Sequence, residues 1–161
     1  MKSVLERSNP GRKTMVPAGT VLMTEGTTSG RLYVLAEGSL EVVREETQVS
    51  VISEPGSIFG EMSVLLEVPH TATVRALSAA TVYAFDDAEG FLRSDPEIAL
   101  IVARMLAQRL NAATTYLVDL KRQYAGKGNH LDMVSEVLAS LLHNQEPDFT
   151  PGSDRQPDPA I

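Results

Sequence analysis

Apolar-rich runs and turn-forming stretches alternate through the first half of the chain. Residues 13–16, 20–23, 31–35, 40–44, 48–52, 71–77 and 81–85 carry the Val, Leu, Ile, Met or aromatic residues of short strands. Runs of this length between turns are the signature of β structure. Pro17-Ala18-Gly19, Gly26, Glu37-Gly38-Ser39, Glu45-Glu46-Thr47 and Pro55-Gly56 punctuate these stretches, and such residues supply turns. Short strands at this spacing predict an all-β roll, barrel or sandwich. Residues 1–12 have room for a turn or two of helix before the breaker Asn9-Pro10-Gly11. One stretch departs from the alternation: residues 58–69 read as a glycine turn at Gly60, a short helix and a proline stop at Pro69, with a strand resuming at Thr71.

After Phe85 the period changes. Asp86-Asp87 can cap a helix running to about Leu92. Ser94-Asp95-Pro96-Glu97 then opens a long helix over residues 96–124, with proline tolerated in its first turn. Ile98, Ile101, Val102 and Met105 predict a face packed on the β-domain. Beyond them Leu106, Leu110, Ala113, Leu117, Leu120 and Tyr124 are spaced 4, 3, 4, 3, 4, the spacing of a coiled-coil seam and hence of a homodimer interface. The other reading is that the helix only covers its own domain. The dimer is favoured because Leu117, Leu120 and Tyr124 lie beyond the reach of a small roll. Gly126-Lys127-Gly128 breaks this helix, and Leu131, Val134, Leu138 and Leu141 mark a shorter amphipathic helix over residues 129–143. Residues 146–161 are polar and proline-rich, a composition that predicts a disordered tail. No internal repeat is visible.

Composition narrows the classes of function. At 161 residues the chain suits one domain, residues 13–125, with a sizeable core. It has no cysteine, which excludes disulfides, cysteine-held iron–sulfur clusters and cysteine-rich zinc sites. A net charge of −7 gives no attraction to nucleic acid or to an anionic membrane. The N-terminus lacks the apolar core of a signal peptide, and no run approaches a membrane span. A soluble cytoplasmic protein is the expectation. No nucleophile–base pair, metal-ligand spacing or Walker-type loop points to catalysis or to a metal.

The candidate chemistry lies in residues 58–76. Glycine at position 60 frees the backbone for close approach to a ligand, and the first amides of a helix lack intrahelical acceptors and suit an anion. The run Phe59-Gly60-Glu61, Ser63, Val64 or Leu65, Pro69, His70, Thr71, Ala72 resembles the phosphate-binding cassette of cyclic nucleotide-binding domains of the Crp/Fnr type. The family's arginine is replaced by His70. The order Pro-Ala-Gly-Thr-Val-Leu, Glu-Gly, Leu-Tyr-Val-Leu, Glu-Gly-Ser-Leu-Glu-Val upstream is similar to that family's opening strands, and the resemblance extends over residues 13–124 or so. It implies a β-roll (a jelly-roll-like double-stranded barrel) with a cassette helix and a long dimerisation helix. It also implies a cyclic nucleotide, cAMP or cGMP, as ligand.

By that resemblance Glu61 accepts from the ribose 2′-hydroxyl, and the Gly60, Met62 and Ser63 region offers amides to the phosphate. Glu61 reads equally as an acidic first-turn residue favoured by the helix dipole. The family arginine at the place of His70 grips the phosphate with a fixed charge and two prongs; a histidine offers one donor and partial charge. Losing a charge-assisted hydrogen bond costs about 1.5–3 kcal/mol, on the order of 10- to 100-fold in affinity. His70 is alternatively a satisfied histidine in a site that no longer binds nucleotide. Arg75 does not replace the missing cation, because strand alternation sets His70, Ala72, Val74 and Ala76 inward and Arg75 outward. Thr71 implies compatibility with cAMP and often accompanies cGMP preference. Val49, Val51 and Leu65 are expected to line base and ribose. Thr114 aligns with a family position that reaches the base from the long helix, or is a helix-surface threonine.

The transcription regulators of that superfamily carry a winged helix-turn-helix after the long helix, and little chain remains here after Tyr124. The expectation is therefore a stand-alone, non-enzymatic, dimeric sensor without direct DNA binding, acting on a protein effector. A degenerate interaction module, or another pocket ligand such as haem held by one of His70, His130 and His143, are the alternatives.

Overall fold

The computed structural model describes residues 2–125 together with Val134, Ser135, Val137 and Ala139, and it divides into two compact units, 1–104 and 105–161. The first unit begins with helix α1 (Lys2–Glu6). Strands β1 (Arg12–Val16), β2 (Val21–Met23), β3 (Leu32–Glu37), β4 (Leu40–Arg44), β5 (Thr47–Ile52) and β6 (Ile58–Phe59) follow. Then come helix α2 (Glu61–Leu66), strands β7 (Thr73–Ala76) and β8 (Ala80–Phe85), helix α3 (Ala88–Ser94) and the start of α4 (Pro96–Gln123).

The strands form two antiparallel four-stranded sheets, ordered β1-β8-β3-β6 and β2-β7-β4-β5. This is the β-roll with helices that the alternation predicts. Tyr33, Leu35 and Val82 of the first sheet meet Met23, Leu40 and Val74 of the second in one core cluster. Strand β3 is buried on both faces, because α1 packs against it. Tyr33 and Leu35 point into the cluster, while the alternate residues Leu32 and Val34 are buried outside it. Burying two faces of one strand removes the polar alternation that a half-exposed strand shows.

Turn chemistry sets the registers. Glu45 and Glu46 both have positive φ, 48° and 63°, between the paired residues Arg44 and Thr47. That is the two-residue hairpin loop whose twist matches the strands. Gly38 turns β3 into β4 at φ 91°. A Cβ there would lie 2.4 Å from the Ala79 carbonyl oxygen and 2.7 Å from Ala80 Cα, so backbone fills the space a side chain needs. The helix starts follow the sequence. Asp87 accepts from the Gly90 amide at 2.9 Å, and Asp95 Oδ1 accepts from the Glu97 amide at 2.9 Å.

Two details differ from the expected elements. Strand β6 is an addition, held by pairing of Ile58 and Phe59 with Val34 and Tyr33. The strand expected from Thr71 starts only at Thr73. The chain before it is taken up by the 24–31 loop: the His70 amide donates to the Thr27 carbonyl at 2.8 Å, and the Gly26 amide donates to the His70 carbonyl at 2.8 Å.

On α4, Ile98, Val102 and Met105 are buried and Ile101 is half-buried. In this single chain Leu106, Leu117 and Leu120 are half-buried, whereas Leu110, Ala113 and Tyr124 are exposed. Apart from the four helical residues named above, the expected 129–143 helix lies outside the described residues, as does the 146–161 tail.

On the outer face of the second sheet, Glu41 of β4 stands opposite Arg75 of β7. Arg75 Nε donates to Glu41 Oε1, and Gln48 Nε2 donates to Oε2 at 2.7 Å. The hydrogen bonds from Arg75 and then Gln48 hold the Glu41 carboxyl below its ordinary range.

Two outcomes test this packing. Gly38→Ala adds a left-handed backbone penalty to a clash with immovable backbone, and should cost about 2–5 kcal/mol in urea unfolding. A loss under about 0.5 kcal/mol would show that the turn relaxes. Glu41 binds its proton less readily folded than unfolded. Its contribution is therefore full above the ordinary carboxylate value and is lost as pH falls through the lower folded value. The stability gap between the wild type and Glu41→Gln should close below about pH 4.5. A gap constant through that window would mean the ion pair does not form.

Candidate functional site

The first sheet delivers the cassette. Strand β6 leads into Gly60, which caps α2 in a left-handed conformation, φ 96° and ψ −2°. A Cβ on Gly60 would lie 2.4 Å from Met23 Cε and 2.6 Å from the Arg31 carbonyl oxygen. Both the dihedral and the space therefore require glycine. Helix α2 is short because Glu67 closes it, with φ 54° and an amide donated to the Ser63 carbonyl. The stop precedes Pro69.

Helix α2 is oriented by what it buries. Glu61 is 3% exposed and engaged in the interior, whereas Met62, Leu65 and Leu66 are exposed. The expected ribose and phosphate residues Phe59, Gly60, Glu61, Met62 and Ser63 thus form one continuous turn, with Phe59 in the core and Glu61 facing in.

His70 joins this turn to the 24–31 loop. It is 4% exposed, and both ring nitrogens meet hydroxyls: Nδ1 with Ser63 Oγ at 3.0 Å and Nε2 with Ser29 Oγ at 2.7 Å. The hydrogen-bond chain fixes the tautomer. Ser63 donates its hydroxyl to the Gly60 carbonyl at 3.0 Å, so it accepts from Nδ1–H. Nε2 is then the bare nitrogen and accepts from Ser29, whose oxygen also accepts from the Arg31 amide at 3.2 Å. A neutral imidazole satisfies every group in the chain. Burial lowers the His70 pKa in the same direction, since desolvation penalises the charged ring.

The remaining expected residues fall in different places. Arg75 points outward to Glu41, as alternation predicts, while Val74 and Ala76 are buried inside. Thr71 is exposed beside His70, and Leu65 is exposed on α2. Val51 requires a correction. It pairs opposite Glu41 and so shares the outer face with Arg75, while Ser50 and Ile52 oppose Val42 and Leu40 on the core face. Val49 sits at the bulge between Val42 and Val43 and is 62% exposed. Thr114 is half-buried on the part of α4 that belongs to the second unit.

Sequence reasoning missed Ser29, Thr27 and Met23. The only hint was the glycine pair Gly26 and Gly30, both at positive φ, which bends this loop back toward His70. Among the described residues no cluster of three or more His, Asp or Glu is placed to hold a metal, and no helix is long and apolar enough to cross a membrane.

Relatives carry the same unit in larger proteins. An uncharacterized ABC transporter ATP-binding protein of Mycobacterium tuberculosis is 36% identical over 89 residues, 53% of this chain and 27% of that protein. A cyclic nucleotide-gated potassium channel of Mesorhizobium japonicum is 33% identical over 106 residues, 65% of this chain and 29% of that protein. The chain thus spans about a quarter of the length of these relatives. The catabolite activator protein of Thermus thermophilus, 24% identical, shares the fold with a TM-score of 0.60, covering 88% of this chain and 81% of that one. The family model for the cyclic nucleotide-binding domain matches residues 13–93. That stretch holds all eight strands but the first residue of β1, together with the cassette and His70, and the chain belongs to the cyclic nucleotide-binding domain family.

Proposed function

We propose that the chain is a cyclic nucleotide sensor that binds cAMP or cGMP, regulates a protein partner and catalyses nothing itself. The observation that carries this reading is the turn at Gly60. Met23 and the Arg31 carbonyl fill the space a side chain there would need, Glu61 is drawn into the interior, and the family match runs across it. In this reading Glu61 accepts from the ribose 2′-hydroxyl and the amides of Met62 and Ser63 face the cyclic phosphate. Thr71 stands at the rim. The seam Leu106, Leu110, Ala113, Leu117, Leu120 and Tyr124 pairs two copies, with Thr114 beside it. The net charge of −7 argues for a protein partner and against direct contact with DNA.

One observation favours a second reading, a dimeric interaction module that has lost its ligand. His70 already has a hydroxyl on each ring nitrogen, so, read as the counterpart of the family's arginine, it is a neutral, satisfied group.

Calorimetry with cAMP and cGMP separates the readings. The sensor binds at least one nucleotide below millimolar concentration, and His70→Arg tightens binding by about 10- to 100-fold through a charge-assisted bond. Silence from both the wild type and His70→Arg at millimolar nucleotide would leave the interaction module.

A further inference from the structure

A buried anion needs a positive partner, and four of the first unit's arginines are tied to carboxylates. Arg7 pairs with Asp95, Arg31 with Asp86 at 2.8 Å, Arg75 with Glu41 and Arg93 with Glu89 at 2.8 Å. Among the described residues the buried polar side chains are Ser8, Glu41, Ser57, Glu61 and His70. His70 is the one base in that set, and it lies in hydrogen-bond contact with the first turn of α2 through Ser63.

The charged residues on the segments around it do not compete for that role. On the 24–31 loop, Glu25 accepts from the Glu45 amide at 3.0 Å and Arg31 is turned to Asp86. On α2, Glu61 is buried and Glu67 is exposed at the far end. Arg75, along the chain from His70, faces out to Glu41.

We propose that cyclic nucleotide binding here is coupled to uptake of one proton by His70, so that the protein reads the nucleotide and acidity together. The inference rests on the cyclic nucleotide reading above. The hydrogen-bond chain shows how the coupling works. Nδ1–H keeps donating to Ser63. The proton, taken from solvent, goes onto Nε2, which turns from acceptor to donor. Ser29 Oγ then accepts from Nε2–H, and its own hydrogen is released to donate to an oxygen of the bound phosphate. The imidazolium faces a monoanion in a buried setting, where opposite charges hold the charged form. Without ligand the same burial keeps the ring neutral. Acidification of the free protein therefore costs stability as pH falls below the ordinary imidazole range, because the unfolded chain takes the proton first. Ligand reverses that cost.

The test is calorimetric titration of the full chain with cAMP and with cGMP between about pH 5.5 and 8, in two buffers of different ionisation enthalpy. Between the free and the bound His70 midpoints the wild type should take up close to one proton per nucleotide, with affinity falling about tenfold per pH unit, and both effects should fade on either side of that window. His70→Gln should bind weakly, with neither proton uptake nor pH dependence, and Ser29→Ala should keep the proton uptake while weakening binding. NMR titration of the His70 ring in the wild type, free and saturated, gives an answer that needs no variant: its midpoint should rise on binding. Binding without proton uptake and with an unmoved midpoint overturns the coupling and leaves the sensor intact. No binding by wild type or His70→Arg at millimolar nucleotide overturns both.

Discussion

The site depends on one close approach, that of Gly60 to Met23 and the Arg31 carbonyl. Met23 belongs to β2 in one sheet, and Gly60 follows β6 in the other. The thioether end and the carbonyl together occupy the volume of a Cβ. The turn is therefore fixed from both sheets, not only by its own dihedrals. That fixes where α2 starts, and the start of α2 fixes the direction in which Glu61 enters the interior. Close packing transmits such a constraint because a core filled to crystal density has no slack to absorb a displaced turn.

The second constraint is polar. An imidazole buried without partners costs several kcal/mol, on the order of a lost pair of hydrogen bonds. His70 avoids that cost by recruiting Ser63 from α2 and Ser29 from the 24–31 loop, while its backbone pairs with Gly26 and Thr27. One residue thus ties three segments together. An arginine at the same place would carry a permanent charge and need a permanent counter-charge. A histidine satisfied by two hydroxyls needs none, because each hydroxyl can exchange donor for acceptor by rotation.

Much of the fold was legible because half-buried strands leave a period-two trace. Strand β8 shows it: Ala80, Val82 and Ala84 are buried, and Thr81 and Tyr83 are less so. The aspartates at the helix starts, Asp87 and Asp95, were legible from residue type, since a short carboxylate before a helix can accept its free amides. Strand β6 left no trace, because two residues between a turn and Gly60 have no period. Val51 was misread through a real ambiguity. In residues 48–52 the valines at 49 and 51 look like the core face, and Gln48 and Ser50 like the wet one. The register overrides this: Ile52 lies opposite the fully buried Leu40, and Ser50 follows it to the inside. A pairing partner is non-local information that a strand's own sequence does not hold. Ser29 was illegible for a related reason. A serine in a glycine-flanked loop is ordinary turn chemistry until its neighbour 41 positions on is known.

The proposed anionic ligand meets an electrostatic problem at long range on this acidic chain and another at contact. At long range the −7 charge is screened within about 8–10 Å at physiological salt, so it slows encounter more than it weakens the bound state. At contact the ligand must find positive charge or oriented dipoles. The paired arginines are already neutralised by Asp86, Asp95, Glu41 and Glu89, and withdrawing one would leave a carboxylate uncompensated. For Glu41 that carboxylate is buried, where an unpaired charge is most costly. A group that is neutral when the site is empty and charged when it is full avoids both penalties. Of the buried polar side chains in the first unit, His70 is the one base, and the proposed coupling gives it that property. On the proposed coupling, a histidine in place of the family's fixed cation makes the site's charge conditional on what occupies it.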